Sequence, residues 1–193
     1  MMVGVTGDAQ ATRRRLIAAA REEFAQYGIA GARVDRIAAA AKANKAQIYH
    51  YFGSKDDLFD AVFNELVEEV VRETPLDPAD LPGYAAGLFD GYERRPDIMR
   101  LATWYRLERA ESRPPLETRV LANKDKVAKI AAAQKAGELP SAFTAADLLA
   151  LVTTIAAMWS TMTDEDRAVG ITRSRARRRQ IIIDAVEAIL ARK

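Results

Sequence analysis

Apolar residues recur at three- and four-residue steps along most of the chain, and no stretch alternates apolar and polar residues as a half-buried strand does. Leu16, Ile17, Ala20, Phe24 and Tyr27 predict a first helix of about five turns that stops at Gly28. "GIAGAR" (28–33) breaks the pattern. Two short helices follow, over 34–42 and 45–52, and Gly53 ends the second. Ser54 with Asp57 three residues on forms a capping signal for a fourth helix. Its stripe of Phe59, Phe63, Leu66 and Val70 runs to the proline-rich break at 74–82.

Further helices are predicted over 83–94, 97–111, 115–136, 144–163 and 173–192, separated by Pro96, "RPP" (113–115) and "GELP" (137–140). Thr144 with Asp147 starts the fourth of these. The pattern predicts an all-α chain of about nine helices in two parts. Residues 1–53 hold three helices with little core of their own, residues 1–9 being expected as a disordered arm. Residues 54–193 form a larger bundle, with helix 54–73 bridging the two.

Composition narrows the function. The chain has 193 residues, 49% of them hydrophobic and 29% charged, with a net charge of +2. Nucleic-acid binding would therefore have to come from local basic patches. There is no cysteine, which excludes disulfides, thiolate metal sites and cysteine nucleophiles and fits a reducing cytoplasm. The first ten residues lack the basic-then-apolar order of a signal peptide, and charges interrupt every apolar stretch short of a membrane span. The one histidine, His50, has no glutamate within four residues, so no metal or cofactor is expected. No glycine-flanked serine accompanies His50, and no phosphate-cradling loop is present, so the chain does not read as an enzyme.

"KANKAQIYHYFGSK" (42–55) concentrates basic and aromatic residues instead. The helix at 34–42, a short break and the helix at 45–52 make a helix-turn-helix pattern. Ile37, Ala38, Ala41, Ile48 and Phe52 form its inner side. With Ile48 and Phe52 turned inward, Lys45, Gln47 and Tyr49 project elsewhere, near a helix N-terminus whose dipole favours phosphate. Lysine can donate to guanine and glutamine can pair with adenine in a major groove. A helical interaction protein that binds no DNA, and a small helical enzyme using His50 as base, are the competing readings.

The stretch "VDRIAAAAKANKAQIYHYFGSKDDLFDAV" (34–62) resembles the N-terminal domain of tetracycline-repressor (TetR) family regulators. The matching elements are Ile37-Ala38, Ile48-Tyr49-His50-Tyr51-Phe52, Ser54-Lys55 and the preceding "FAQYG" (24–28). The resemblance implies that Lys45, Ala46 and Gln47 face base edges, with Tyr49 between base and phosphate. It places His50 and Lys55 on backbone phosphates, and Arg33 and Arg36 at backbone or occasional base contacts. Two positions depart from the family pattern. Lys42 stands where the turn usually has glycine, and Arg33 where the second helix usually has a Ser or Thr cap.

The same resemblance implies a homodimer on a roughly palindromic operator of double-stranded DNA, released by a small-molecule effector. Leu148, Val152, Ile155, Val186 and Leu190 are the dimer-face candidates. The effector-pocket candidates are Phe63, Phe89, Tyr92 and Met99, with Trp104, Tyr105, Met158 and Trp159. The basic block "RSRARRR" (173–179) reads as a solvated face paired with acidic residues, not as a second DNA contact.

Overall fold

The computed structural model of the chain describes residues 4–168 and 174–191. Among these, all regular structure is helical: α1 (Gly4–Gly31), α2 (Val34–Ala40), α3 (Lys45–Phe52), α4 (Lys55–Glu73), α5 (Leu81–Arg94), α6 (Asp97–Trp104), α7 (Glu117–Lys135), α8 (Ala145–Ala157), α9 (Asp164–Ala168) and α10 (Arg175–Leu190). All nine predicted segments are present, and α9 is an added single turn.

Several ends shift by one or two residues, and three differences from the sequence expectation are larger. Helix α1 begins at Gly4, inside the segment expected as an arm, while residues 1–3 lie outside the described residues. The predicted helix 97–111 is α6 followed by a π-helical turn over Tyr105–Arg109. The predicted helix 144–163 ends at Ala157 and continues as a 3-10 turn over Met158–Thr161. Both capping signals are real. The Ser54 hydroxyl accepts from the Asp57 N–H at 3.0 Å, and the Thr144 hydroxyl from the Asp147 N–H at 3.1 Å.

The chain divides into two compact units. The first comprises residues up to Val67 together with Asp97–Leu116; the second comprises Glu68–Pro96 and the residues from Glu117 onward. Helix α4 runs from one into the other. The division falls elsewhere than residue 53 because α6 and the π turn pack on α1, so the reading helices share a core with chain that lies far on in sequence.

That first core is an aromatic ladder. Phe24 of α1 meets Phe59 of α4 edge-on at 5.2 Å, Phe59 stacks near Phe63 at 5.9 Å, and Phe63 stacks on Tyr105 at 4.4 Å. Below it lies Arg109, only 4% exposed. Its Nε and Nη2 donate to the two carboxylate oxygens of Asp60 at 2.7 and 3.0 Å. Its Nη1 donates to the carbonyls of Arg113 and Pro114 at 3.0 and 2.7 Å. Arg113 in turn donates to Asp57 at 2.6 Å. The Ser54 hydroxyl first, and then Arg113, hold the Asp57 carboxyl below its ordinary pKa.

In the second unit α5 packs against α8 and α10, and α7 packs against α8. Leu81, Phe89, Ile130, Leu148, Val152, Ile182 and Val186 form its sealed interior. Leu148, Val152 and Val186 are at most 1% exposed because α5, α8 and α10 of the same chain close over them. Helical periodicity marks such residues as buried without saying whether the covering surface is their own chain or another. Ile155 and Leu190 are only partly buried against the same cluster.

The basic block behaves as expected within its described residues. Arg175 and Arg179 both pair with Asp90, and Arg178 forms a two-pronged pair with Glu93 at 3.1 and 2.7 Å. The partners lie on α5, so the block fastens α10 to the bundle. Arg173 lies outside the described residues.

Candidate nucleic-acid interface

The start of α2 and the turn between α2 and α3 are where the sequence looks least like a standard helix-turn-helix, and the geometry at each shows how the departure is accommodated. Lys42 adopts φ +50°, the left-handed conformation that glycine takes without a steric penalty. The Arg15 Nε of α1 donates to the Ala41 carbonyl at 3.2 Å, satisfying the end of α2 just before this residue. Lys42→Gly is expected to stabilise the fold by about 0.5–1 kcal/mol, seen as a higher denaturant midpoint. A lower midpoint would mean the lysine side chain contributes more than its backbone costs.

At the other departure, Arg33 precedes α2 in extended conformation and offers no side-chain cap. Glu23 of α1 holds this helix start in another way, by binding the cap residue's own N–H and a side chain of the first turn. Its carboxylate takes the Arg33 backbone N–H at 2.8 Å and the Arg36 Nε at 2.8 Å. Burial alone would raise the Glu23 carboxyl, but its bonds to Arg36 and to the Arg33 N–H outweigh that and hold it below its ordinary range. Arg36 also lies over the Tyr27 ring at 4.3 Å and donates to the Gly31 carbonyl.

The whole 28–33 connection is held by charged side chains. Glu108 accepts the backbone N–H groups of Ile29 and Ala30, both at 2.8 Å. Lys55 donates to the Ala30 and Ala32 carbonyls at 3.3 and 3.2 Å. A kinked connection has backbone groups that helices on either side cannot satisfy, and here acids take the donors and bases the acceptors.

Helix α3 is started by Asn44, which the sequence reading passed over. Its side chain accepts from the Gln47 N–H at 2.9 Å while the Gln47 Oε1 accepts from the Asn44 N–H at 3.0 Å, a complete capping box. The signal was legible as Asn followed three residues later by Gln. Ile48 is fully buried and anchors the helix, as its position predicted. Phe52 is only partly buried, with the Arg13 guanidinium 5.5 Å from its ring centroid, and Tyr51 is partly exposed beside it.

What remains outward is a compact surface. Lys42, Lys45, Ala46, Tyr49 and His50 are exposed, Tyr49 at 46%. Lys45 makes only a surface pair with Asp35 at 3.0 Å, which is weak in water and easily exchanged for a phosphate. Gln47, its Oε1 engaged, can present its amide N–H groups. Of the eight predicted DNA-contacting residues, Lys45, Ala46, Gln47, Tyr49 and His50 are brought together on α3. Arg33 is exposed at the start of α2, whereas Arg36 and Lys55 are engaged in holding the 28–33 connection.

Comparison with known proteins agrees with this architecture. Residues 16–62 match the family model for bacterial regulatory proteins of the tetR family, and residues 80–188 match the tetracyclin repressor-like C-terminal domain. The chain is 39% identical over 150 residues to the HTH-type transcriptional repressor SCO4008 of Streptomyces coelicolor, covering 77% of this chain and 78% of that protein. It is 33% identical over 100 residues to the HTH-type transcriptional repressor NicS of Pseudomonas putida, covering 48% and 47% of the two chains. The crystal structure of the putative transcriptional regulator SCO4942 from Streptomyces coelicolor superposes with a TM-score of 0.82 at 42% identity, covering 94% of this chain and 99% of that one. With a helix-turn-helix whose outward face is basic and aromatic, and with both family domains matched in order, the chain belongs to the tetracycline-repressor family and is a DNA-binding transcriptional regulator, not an enzyme.

Proposed function

We propose that the protein is a homodimeric repressor that binds a roughly palindromic operator through α3 and is released from it by a small molecule. The observation that carries the DNA-reading role is the outward side of α3: Lys45, Ala46 and the half-buried Gln47 lie in its capped first turn, and the exposed Tyr49 and His50 follow one turn on, while Ile48 holds the opposite side in the core. Lys45, Ala46 and Gln47 would face base edges, Tyr49 would span base and phosphate, and His50 with Arg33 would take phosphates. Arg36 and Lys55 would support the reading helix, and reach phosphate only by leaving their present partners.

A dimer would present two copies of α3 about 34–36 Å apart, one turn of DNA. Ile155 on α8 and Leu190 on α10, both partly buried, would be the side chains of the proposed face that reach a partner, with Leu148, Val152 and Val186 packed behind them. The effector candidates divide between the units. Phe63, Met99, Trp104 and Tyr105 belong to the first, where Phe63 and Tyr105 fill space against each other. Phe89, Tyr92, Met158 and Trp159 belong to the second, Phe89 in its sealed core and the Trp159 Nε1 donating to the Arg178 carbonyl at 3.3 Å. Since α4 begins directly after α3 and continues into the second unit, a ligand that shifts α4 would shift the reading helix with it.

Fragments selected from genomic DNA by the full-length protein provide the test. Affinity for a selected site should fall linearly on a logarithmic salt scale. Lys45→Ala should weaken binding to the selected sites by about 1–3 kcal/mol and narrow their advantage over unrelated DNA, as loss of a base contact does. Binding that ignores salt, or a Lys45→Ala variant that binds as the parent does, would remove α3 from the interface.

A further inference from the structure

Two polar side chains in the second unit occupy positions where packing favours apolar ones. Helix α7 turns Lys126, Ile130 and Ala133 toward the interior at steps of four and three. Ile130 and Ala133 are buried and Lys126 partly so. No carboxylate or carbonyl among the described residues pairs with the Lys126 ammonium, whose Nζ lies 5.9 Å from the centre of the Tyr84 ring. Burial holds that ammonium below the ordinary lysine pKa, an effect that Asp125 opposes and Arg119 and Lys129 reinforce.

Tyr84 lies on the inward face of α5, 5% exposed, among Leu81, Ala85 and Leu88. Its hydroxyl is buried and has no hydrogen-bond partner. Burial raises its pKa, so the hydroxyl stays protonated and remains a donor. A phenylalanine would fill the same space without an orphaned polar atom. Buried hydroxyls are nearly always bonded, and a partly buried lysine ordinarily carries its ammonium out to water or a carboxylate. Each side chain alone would be an oddity of packing. Together they bring an ammonium over the ring of a tyrosine whose own hydroxyl lacks an acceptor, two donors at the margin of an otherwise apolar cluster, and a few such polar groups are what orient a ligand in a small-molecule site.

We propose that Tyr84 and Lys126 form the polar end of an effector site within the second unit, and that its ligand is a hydrophobic carboxylic acid. The assignment rests on the ligand-released regulator reading above. Both groups donate, so the ligand's buried end must accept, and the lysine favours an acceptor with negative charge. The apolar surroundings, including Leu88, Val127 and Ile130, suit a hydrocarbon or aromatic body. Neither Tyr84 nor Lys126 stood out in the sequence, where a tyrosine and a lysine on amphipathic helices look like ordinary boundary residues.

Isothermal titration of the full-length protein with octanoate, phenylacetate and benzoate, each beside its primary amide, tests the assignment. At least one acid should bind tenfold or more tightly than its amide and weaken binding to a selected DNA site at least fivefold. Lys126→Met should bring that acid down to the affinity of its amide. Tyr84→Phe, which keeps the ring in place, should weaken the acid about tenfold. The proposal is overturned if no acid is preferred over its amide, if Lys126→Met or the milder Lys126→Gln retains the preference, or if a preferred acid leaves DNA binding unchanged. Salt-dependent DNA binding measured on the same preparations separates the two levels. Intact DNA binding without acid preference removes the site and leaves the regulator.

Discussion

Arg109→Ala is expected to cost about 3–5 kcal/mol of folding stability, read as a large fall in the urea midpoint of the full chain. The side chain is 4% exposed and four of its donor bonds are accounted for: two to Asp60, one each to the Arg113 and Pro114 carbonyls. Truncation leaves a carboxylate and two carbonyls without their donors, and the penalty of those stranded acceptors is larger than the net worth of the pair. Arg113 is the neighbour placed to compensate. Its Nη1 sits 3.2 Å from Asp60 but makes no hydrogen bond there, while its Nη2 is committed to Asp57. Arg109→Lys keeps the charge and loses the fork, so its cost should be smaller but still above about 1 kcal/mol. The double variant Asp60→Asn with Arg109→Met should recover part of the single-variant loss, giving a coupling of about 2 kcal/mol. If Arg109→Ala cost less than about 1 kcal/mol, the buried fork would not be what ties α4 to the chain after the π turn.

The same residue shows what a sequence can and cannot disclose. All nine predicted helices exist because glycine and proline breaks, caps and apolar stripes are local signals, read within a few residues. The outward face of α3 was legible for the same reason: once Ile48 is placed inside, helical geometry sends Lys45 and Tyr49 out. Arg109 carried no such signal. Its partner Asp60 lies 49 residues away, and an arginine beside Glu108 on a short helix looks solvated until the tertiary structure encloses it. The dimer-face candidates meet a different limit. Leu148, Val152 and Val186 are buried within their own chain, and a stripe is silent about which surface covers it. Lys42 and Arg33 were visible as departures, whereas the compensations came from Arg15 and Glu23 on α1, outside the helix-turn-helix itself.

Gly28→Ala should be the second most damaging change, at about 3 kcal/mol. Gly28 was read as the end of the first helix, and its backbone is more unusual than a helix end requires. With φ +72° and ψ −177° it occupies a region essentially reserved for glycine, where another residue is strained by about 1–3 kcal/mol. There is no space to relax into. A Cβ built on Gly28 would lie 3.0 Å from two Trp104 ring atoms and 3.0 Å from the Glu108 Oε1. Glu108 cannot withdraw freely, since its other oxygen holds the Ile29 and Ala30 N–H groups at 2.8 Å each, and charge-assisted bonds of this kind contribute about 1.5–3 kcal/mol. Strain and clamp are therefore one event: the added methyl pushes on the residue that caps the kink. Glu108→Ala alone removes the clamp without the strain and should cost about 2 kcal/mol. In the double variant the clamp can be lost only once, so the two costs should sum to less than their separate values. Strict additivity, or a Gly28→Ala midpoint within about 0.5 kcal/mol of the parent, would show that the kink leading into α2 is not held by the π turn.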